Sequence, residues 1–113
     1  MSDFMNISKI DQNMKSNLME TNFDIPQNID AEQALLGALL VNNEIYDKIN
    51  HILKSEHFYD PVHQKIYEIS AEKISRNSLA SPVTLKTYFQ DDPGIKELGG
   101  VAYLAKLAAS AIS

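Results

Sequence analysis

Three histidines are the residues best suited to acid–base or metal chemistry. They are His51, His57 and His63, and each lies six residues from the next. Six residues turn an α-helix by about 600°, so neighbouring histidines would point to opposite sides. Ligands on one helix need a spacing of three or four, as in zinc sites. The spacing therefore argues against a metal site, and we expect His63 to be a partly buried, hydrogen-bonding residue.

Two carboxylates near these histidines raise the question of an acid–base cluster. Glu56 and Asp60 lie close in sequence to His57 and His63, and such a group could transfer protons. No nucleophile or pocket accompanies them in the sequence, so we favour a solvated surface. The glycines offer no alternative chemistry, because none begins the GxxxxGK[ST] loop that binds nucleotide phosphates. We expect no catalytic, cofactor or metal site in this chain.

The composition indicates one small acidic domain. The chain has 113 residues, of which 44% are hydrophobic, and its formal net charge is −5. DNA-binding modules usually carry a basic face, because displaced counterions drive phosphate binding, so this balance argues against tight DNA binding. The chain has no cysteine, which agrees with a reducing cytoplasm. The longest apolar run, residues 34–41, is far shorter than the ~20 residues of a membrane span.

Hydrophobic periodicity predicts an all-α fold. Asn28 can cap a helix over residues 29–41 that is apolar on every side after residue 34, as expected for the centre of a bundle. Gly37 lies inside this helix. Because glycine weakens a helix, we expect its use to be the close approach of a neighbouring helix. Residues 45–53 follow the i, i+4, i+7, i+8 spacing of a second amphipathic helix.

Cap-then-proline pairs predict the starts of the next two helices. Asp60 with Pro61 begins a helix that runs to about residue 76. Ser81 with Pro82 begins another that runs to about residue 90.

The remaining residues predict a turn over 91–94 and one helical turn over 95–98. A last helix follows from residue 100 or 101. We therefore predict a compact bundle of four to six short helices over residues 26–113, preceded by a flexible, disordered tail over residues 1–25.

Four stretches, in order, resemble the amino-terminal domain of DnaB-type replicative helicases. The first is residues 26–37, with the sequence PQNIDAEQALLG. Phe58-Tyr59 followed by His63 and Ile66 is the second, Thr84-Leu85 is the third, and residues 99–104, GGVAYL, are the fourth. Members of the family often have an acidic residue where Ser81 stands and a phenylalanine where Val101 stands.

The resemblance implies a part that assembles and recruits rather than catalyses. The parent would be a hexameric ring that unwinds DNA, with ATP and Mg²⁺ bound in an ATPase domain that this chain lacks. Its amino-terminal domains would form a collar that contacts other helicase subunits, primase and a helicase loader. Single-stranded DNA would be contacted only in the full ring. We expect this chain to end before the helical hairpin and the ATPase domain of the family, and to act in the cytoplasm.

Four residues are predicted to contact partners. Ser81 and Val101 depart from the family pattern. Tyr103 and Leu107 belong to a last helix whose apolar residues are too many for one core stripe.

The residues alone leave three other classes of protein possible. They are an unrelated helical adaptor or regulatory module, a cryptic enzyme built on the Glu56–His63 cluster, and a helix-turn-helix DNA binder, which the acidic balance disfavours.

Overall fold

The computed structural model describes residues 28–112, and these form six α-helices. The tail predicted for residues 1–25 lies outside them. In chain order the helices are α1 (Ile29–Val41), α2 (Ile45–Ile49), α3 (Pro61–Ser75), α4 (Pro82–Phe89), α5 (Pro93–Glu97) and α6 (Ala102–Ile112), and a 3-10 turn at Ser55–His57 precedes α3. The predicted all-α bundle is confirmed, and the described part of the chain contains no strand.

Side-chain caps begin four of the helices. Asn28 accepts the backbone N–H of Ala31 at the start of α1, and Asp60 accepts that of Val62 at the start of α3. Ser81 caps α4 in the same way. Because the first N–H groups of a helix have no partner inside it, each cap fixes where the helix begins. The three predicted caps are confirmed.

The fourth cap produces a helix where the sequence indicated a turn. Asp92 accepts the backbone N–H of Ile95, so α5 begins at Pro93 rather than at residue 95. This is the same cap-then-proline pattern as at the starts of α3 and α4. A hydrogen bond from Lys65, 2.7 Å long, holds the pKa of Asp92 below its usual range and ties α5 to α3.

The second helix is shorter than predicted. It ends at Ile49, whose carbonyl accepts the backbone N–H groups of both Ile52 and Leu53. The bond from Ile52 spans three residues instead of the four of an α-helix, and the chain leaves the helical path there. Leu53 nevertheless stays buried, and its own carbonyl accepts the Tyr67 hydroxyl at 2.7 Å.

The core lies where α1 crosses α6 and α3 packs beside them. It contains fully buried side chains from α1, α3, α4 and α6, among them Leu36, Leu39, Ile66, Leu85 and Leu104. Gly37 permits the crossing, because a Cβ atom there would lie 2.1 Å from the carbonyl oxygen of Leu107. The close approach predicted at this glycine is confirmed.

Candidate functional site

A buried polar network joins the three central helices. His63 of α3 is fully buried, and its Nδ1 lies 2.8 Å from Oε1 of Glu32 in α1. Its Nε2 lies 2.6 Å from the hydroxyl of Tyr103 in α6. The imidazole and phenol rings stack with an interplanar angle of 11°. Gln33 of α1 completes the network by donating to the Tyr103 hydroxyl at 3.0 Å.

The chemistry of each group in this network indicates which atom donates and which accepts each hydrogen bond. A carboxylate only accepts, so Glu32 takes the Nδ1–H of His63. When the imidazole carries this one proton, its Nε2 accepts the Tyr103 hydroxyl proton, and the phenol oxygen accepts from Gln33. Glu32 also accepts the backbone N–H of Tyr59 at 2.5 Å, which holds the start of α3 against α1. Every member of the chain therefore has a partner of the required kind.

The order carboxylate, imidazole, hydroxyl is that of an acyl-transfer triad, but the burial rules out the corresponding chemistry. A nucleophile must reach its substrate, whereas the Tyr103 side chain is 5% exposed and His63 is enclosed. Burial also raises the pKa of Tyr103, although the hydrogen bond from Gln33 opposes this, so the hydroxyl stays protonated. The network is suited to fixing the positions of α1, α3 and α6.

The acid–base cluster considered from the sequence is not assembled. The Nδ1 of His57 accepts the backbone N–H of Lys54 within the 3-10 turn, and Asp60 caps α3. The carboxylate beside His63 is Glu32, which lies 31 residues away in the sequence. Within residues 28–112 no three His, Cys, Asp or Glu residues are grouped so that they could hold a metal ion.

The four predicted partner residues lie in different environments. Ser81 is half-buried, and its backbone N–H and hydroxyl both engage Thr84. Val101 is half-buried against the core. Tyr103 and Leu107 are core residues, so the packing of α6 accounts for both side chains and leaves little of either to meet a partner. Contact of these residues with a partner stays a prediction.

The exposed large apolar residues of the described part of the chain are different ones. Val83 is 81% exposed, Ile112 72% and Leu79 61%, and Val41, Tyr88, Tyr59 and Leu98 are exposed to a smaller degree. A depression beside α2 and α3, lined by Tyr46, Leu53 and Tyr67, has a volume of about 210 Å³. That is below the range of about 300–1,000 Å³ usual for small-molecule sites.

The fold and the network define an all-helical module whose buried polar groups serve packing. The chain belongs to the family of DnaB-like helicase N-terminal domains, whose model matches residues 24–113. The resemblance seen in the sequence is thereby confirmed, and the unrelated adaptor is excluded.

Individual relatives agree with this assignment. The chain is similar to the replicative DNA helicase DnaB of Rickettsia typhi, with 45% identity over 83 residues, 74% of this chain and 17% of that protein. It is 36% identical over 83 residues to DnaB of Geobacillus stearothermophilus, covering 74% of this chain and 18% of that protein. The chain thus spans less than a fifth of these relatives.

A solved structure shows the same fold. The crystal structure of the N-terminal domain of DnaB helicase from Mycobacterium tuberculosis superposes with a TM-score of 0.66 and 28% identity, covering 75% of this chain and 59% of that one. In the part of our chain that the structure describes, every helix is too short or too polar to cross a membrane.

Proposed function

We propose that this domain forms part of the collar of a replicative helicase, where it supports ring assembly and recruits primase at the replication fork. The observation that carries the proposal is the family match over residues 24–113. The parent would unwind DNA in the cytoplasm, with ATP and Mg²⁺ bound in an ATPase domain outside this chain. A helicase loader is a further expected partner, and single-stranded DNA would be contacted only in the full ring.

The described residues support a binding role over a catalytic one. The one arrangement that resembles catalytic machinery, around His63, is closed to substrate. Seven large apolar side chains are exposed instead, which suits a domain that contacts other proteins.

Primase recruitment is tested by titrating the purified chain with primase from the same bacterium in a calorimeter. We expect saturable binding with a dissociation constant on the order of micromolar, as for a small, transient interface. The chain should also compete with the full-length helicase and lower its stimulation of primer synthesis. Unrelated helical proteins of similar charge serve as controls. Absence of both binding and competition would contradict the proposed recruitment.

The contribution to ring assembly is tested by sedimentation equilibrium of the chain alone. We expect a monomer in equilibrium with a dimer and no stable hexamer, because exposed apolar patches of a few hundred Å² usually associate weakly. A hexamer whose mass does not change with concentration would show that this domain carries its own ring-forming interface. It should not hydrolyse ATP, with or without single-stranded DNA.

A further inference from the structure

From the exposed residues around the α3–α4 connection we infer a docking surface for an acidic, amphipathic helical segment of a partner protein. The α3–α4 surface is defined as five exposed side chains, Arg76, Leu79, Val83, Lys86 and Tyr88, together with the half-buried Lys73 that lies against Tyr88. The inference goes beyond the contacts proposed above, because it follows from this surface alone and does not depend on which protein supplies the segment.

The apolar part of the surface is Leu79 and Val83. They are 61% and 81% exposed, which places them among the three most exposed large hydrophobic side chains of the described residues. Other apolar side chains of this connection are in the core, including Ala80 and Leu85, which are fully buried. Burial of Leu79 and Val83 by a partner would remove apolar area from water, which is the main favourable contribution to association.

The connection that presents these side chains is held by side-chain hydrogen bonds. The amide nitrogen of Asn43 donates to the carbonyl oxygens of Leu39 and Ala80, each at 2.8 Å. Its amide oxygen accepts the N–H of Ala80 at 2.9 Å. The Thr84 hydroxyl donates to the carbonyl of Leu79 at 2.8 Å. Because this backbone is already fixed, a partner would lose little free energy to ordering it.

The charge of this region determines the complementary ligand. Residues 73–90 contain three of the chain's ten cationic residues and none of its fifteen acidic ones, although the chain as a whole is acidic. Lys86 lies three residues after Val83, on the same side of α4. The ammonium group of Lys73 lies 5.1 Å from the centre of the Tyr88 ring. Neither lysine has an ion-pair partner among residues 28–112.

Carboxylates flank this stretch in the sequence. Glu72 pairs with Arg76 at 3.1 Å, in a contact that is largely open to water, and Asp91 and Asp92 follow Gln90. A ligand with carboxylates around an apolar stripe therefore matches the centre of the surface. Helices recognised in this way present anchors at i, i+3 or i+4, and i+7.

Nucleic acid is a poorer match. Binding to phosphates strengthens with the number of cations that contact them, and this surface offers three, one of them already paired. Its apolar side chains Leu79 and Val83 are 61% and 81% exposed, and they would gain little from a phosphate backbone.

The test uses the ¹⁵N-labelled chain and a synthetic amphipathic peptide of about 16 residues, long enough to form a helix. Leucines occupy i, i+3, i+4 and i+7, and glutamates occupy most other positions. A second peptide has lysine at every glutamate position. We expect the acidic peptide to bind with a dissociation constant of roughly 10–100 µM and to shift amide signals of residues 73–90. The lysine peptide should not bind.

Exposed substitutions locate the site without disturbing the fold. Val83→Ser and Lys86→Glu should each raise the dissociation constant of the acidic peptide about tenfold. The matched controls Ile112→Ser and Lys106→Glu change equally exposed types of residue on α6 and should bind as the unmodified chain does.

Equal binding by all four variants, equal binding of both peptides, or signal shifts confined to other helices would overturn the inference. Two further measurements identify a different occupant. If Val83→Ser lowers the sedimentation-average mass of the chain alone, the surface is filled by a second copy. If Lys86→Glu abolishes binding to a labelled oligothymidine that otherwise binds tightly, the surface serves DNA. Either result would replace the partner protein proposed here.

Discussion

Replacing Gly37 by alanine tests the packing on which the whole fold depends. The substituted Cβ would lie 2.1 Å from the carbonyl oxygen of Leu107 and 3.0 Å from its carbonyl carbon, and both atoms belong to the backbone of α6. The Ser110 hydroxyl donates to the same oxygen at 2.7 Å, which further restricts its movement. A rotamer change cannot relieve this overlap, so α6 would have to move away from α1.

Two opposing effects determine the size of the change. Alanine favours a helix over glycine by about 1 kcal/mol. Overpacking a well-packed core costs about 1–3 kcal/mol, and a clash with backbone belongs at the upper end of that range. We therefore expect Gly37→Ala to lower the free energy of unfolding by about 2 kcal/mol. That is a large share of the ~5–15 kcal/mol typical of a small domain.

Urea denaturation followed by circular dichroism at 222 nm measures this difference. The control is Ala34→Gly, an exposed position of the same helix, which should lose about 1 kcal/mol from helix propensity alone. If Gly37→Ala were instead more stable than the unmodified chain by the same ~1 kcal/mol, helix propensity alone would account for it. The close crossing of α1 and α6 would then be wrong.

Three further substitutions test individual hydrogen bonds by the same denaturation assay. Tyr67→Phe leaves the buried carbonyl of Leu53 without its partner, at a cost of about 1–3 kcal/mol. Burial raises the pKa of Tyr67 to about 12, so the unmodified chain should lose stability as the pH rises from about 10 towards 12, and the variant should lose less. His63→Leu removes one partner of the Glu32 carboxylate, which keeps the backbone N–H of Tyr59, and also removes the acceptor of the Tyr103 hydroxyl. It should cost about 1–3 kcal/mol, and no measurable loss would mean that the network does not hold the helices together. Ser81→Ala should cost about 1 kcal/mol through the lost cap, whereas Ser81→Asp should retain it, and equal losses in both would show that the cap is unimportant.

Local features of this fold could be predicted from the sequence because they depend on neighbouring residues. The caps at Asn28, Asp60 and Ser81 satisfy N–H groups two or three residues away, so residue type and spacing were sufficient. The same rule applies to Asp92 and Pro93, where the adjacent Gly94 suggested a turn instead. The helix forms there because the cap and the Lys65 contact from α3 act together.

Features that depend on distant residues could not be predicted in this way. No spacing rule links Glu32 to His63, or Asn43 to Ala80, which lies 37 residues away. The periodicity of α6 did indicate several apolar positions, but it could not show that the crossing with α1 covers both Tyr103 and Leu107. The exposure of Leu79 and Val83 could not be predicted either, because it depends on how the connection between α3 and α4 is placed against the rest of the domain.

The buried network explains why widely separated stretches of the sequence carried the resemblance. Glu32 and Gln33 belong to the first of these stretches, His63 to the second and Tyr103 to the fourth, and the structure brings all four side chains into one hydrogen-bonded chain. Each of these side chains requires its hydrogen-bond partners, because burying a polar group without a partner lowers the free energy of unfolding.

It follows that these stretches identify the fold rather than a site of contact. A partner reaches exposed side chains, and the network offers almost none. Differences in partner choice between such domains are therefore expected at positions outside the network, where a change does not disturb the packing. The α3–α4 surface is of this kind. Val83 and Lys86 extend from a helix whose buried side is anchored by Leu85 and Phe89, so their replacement should alter binding and leave the free energy of unfolding almost unchanged.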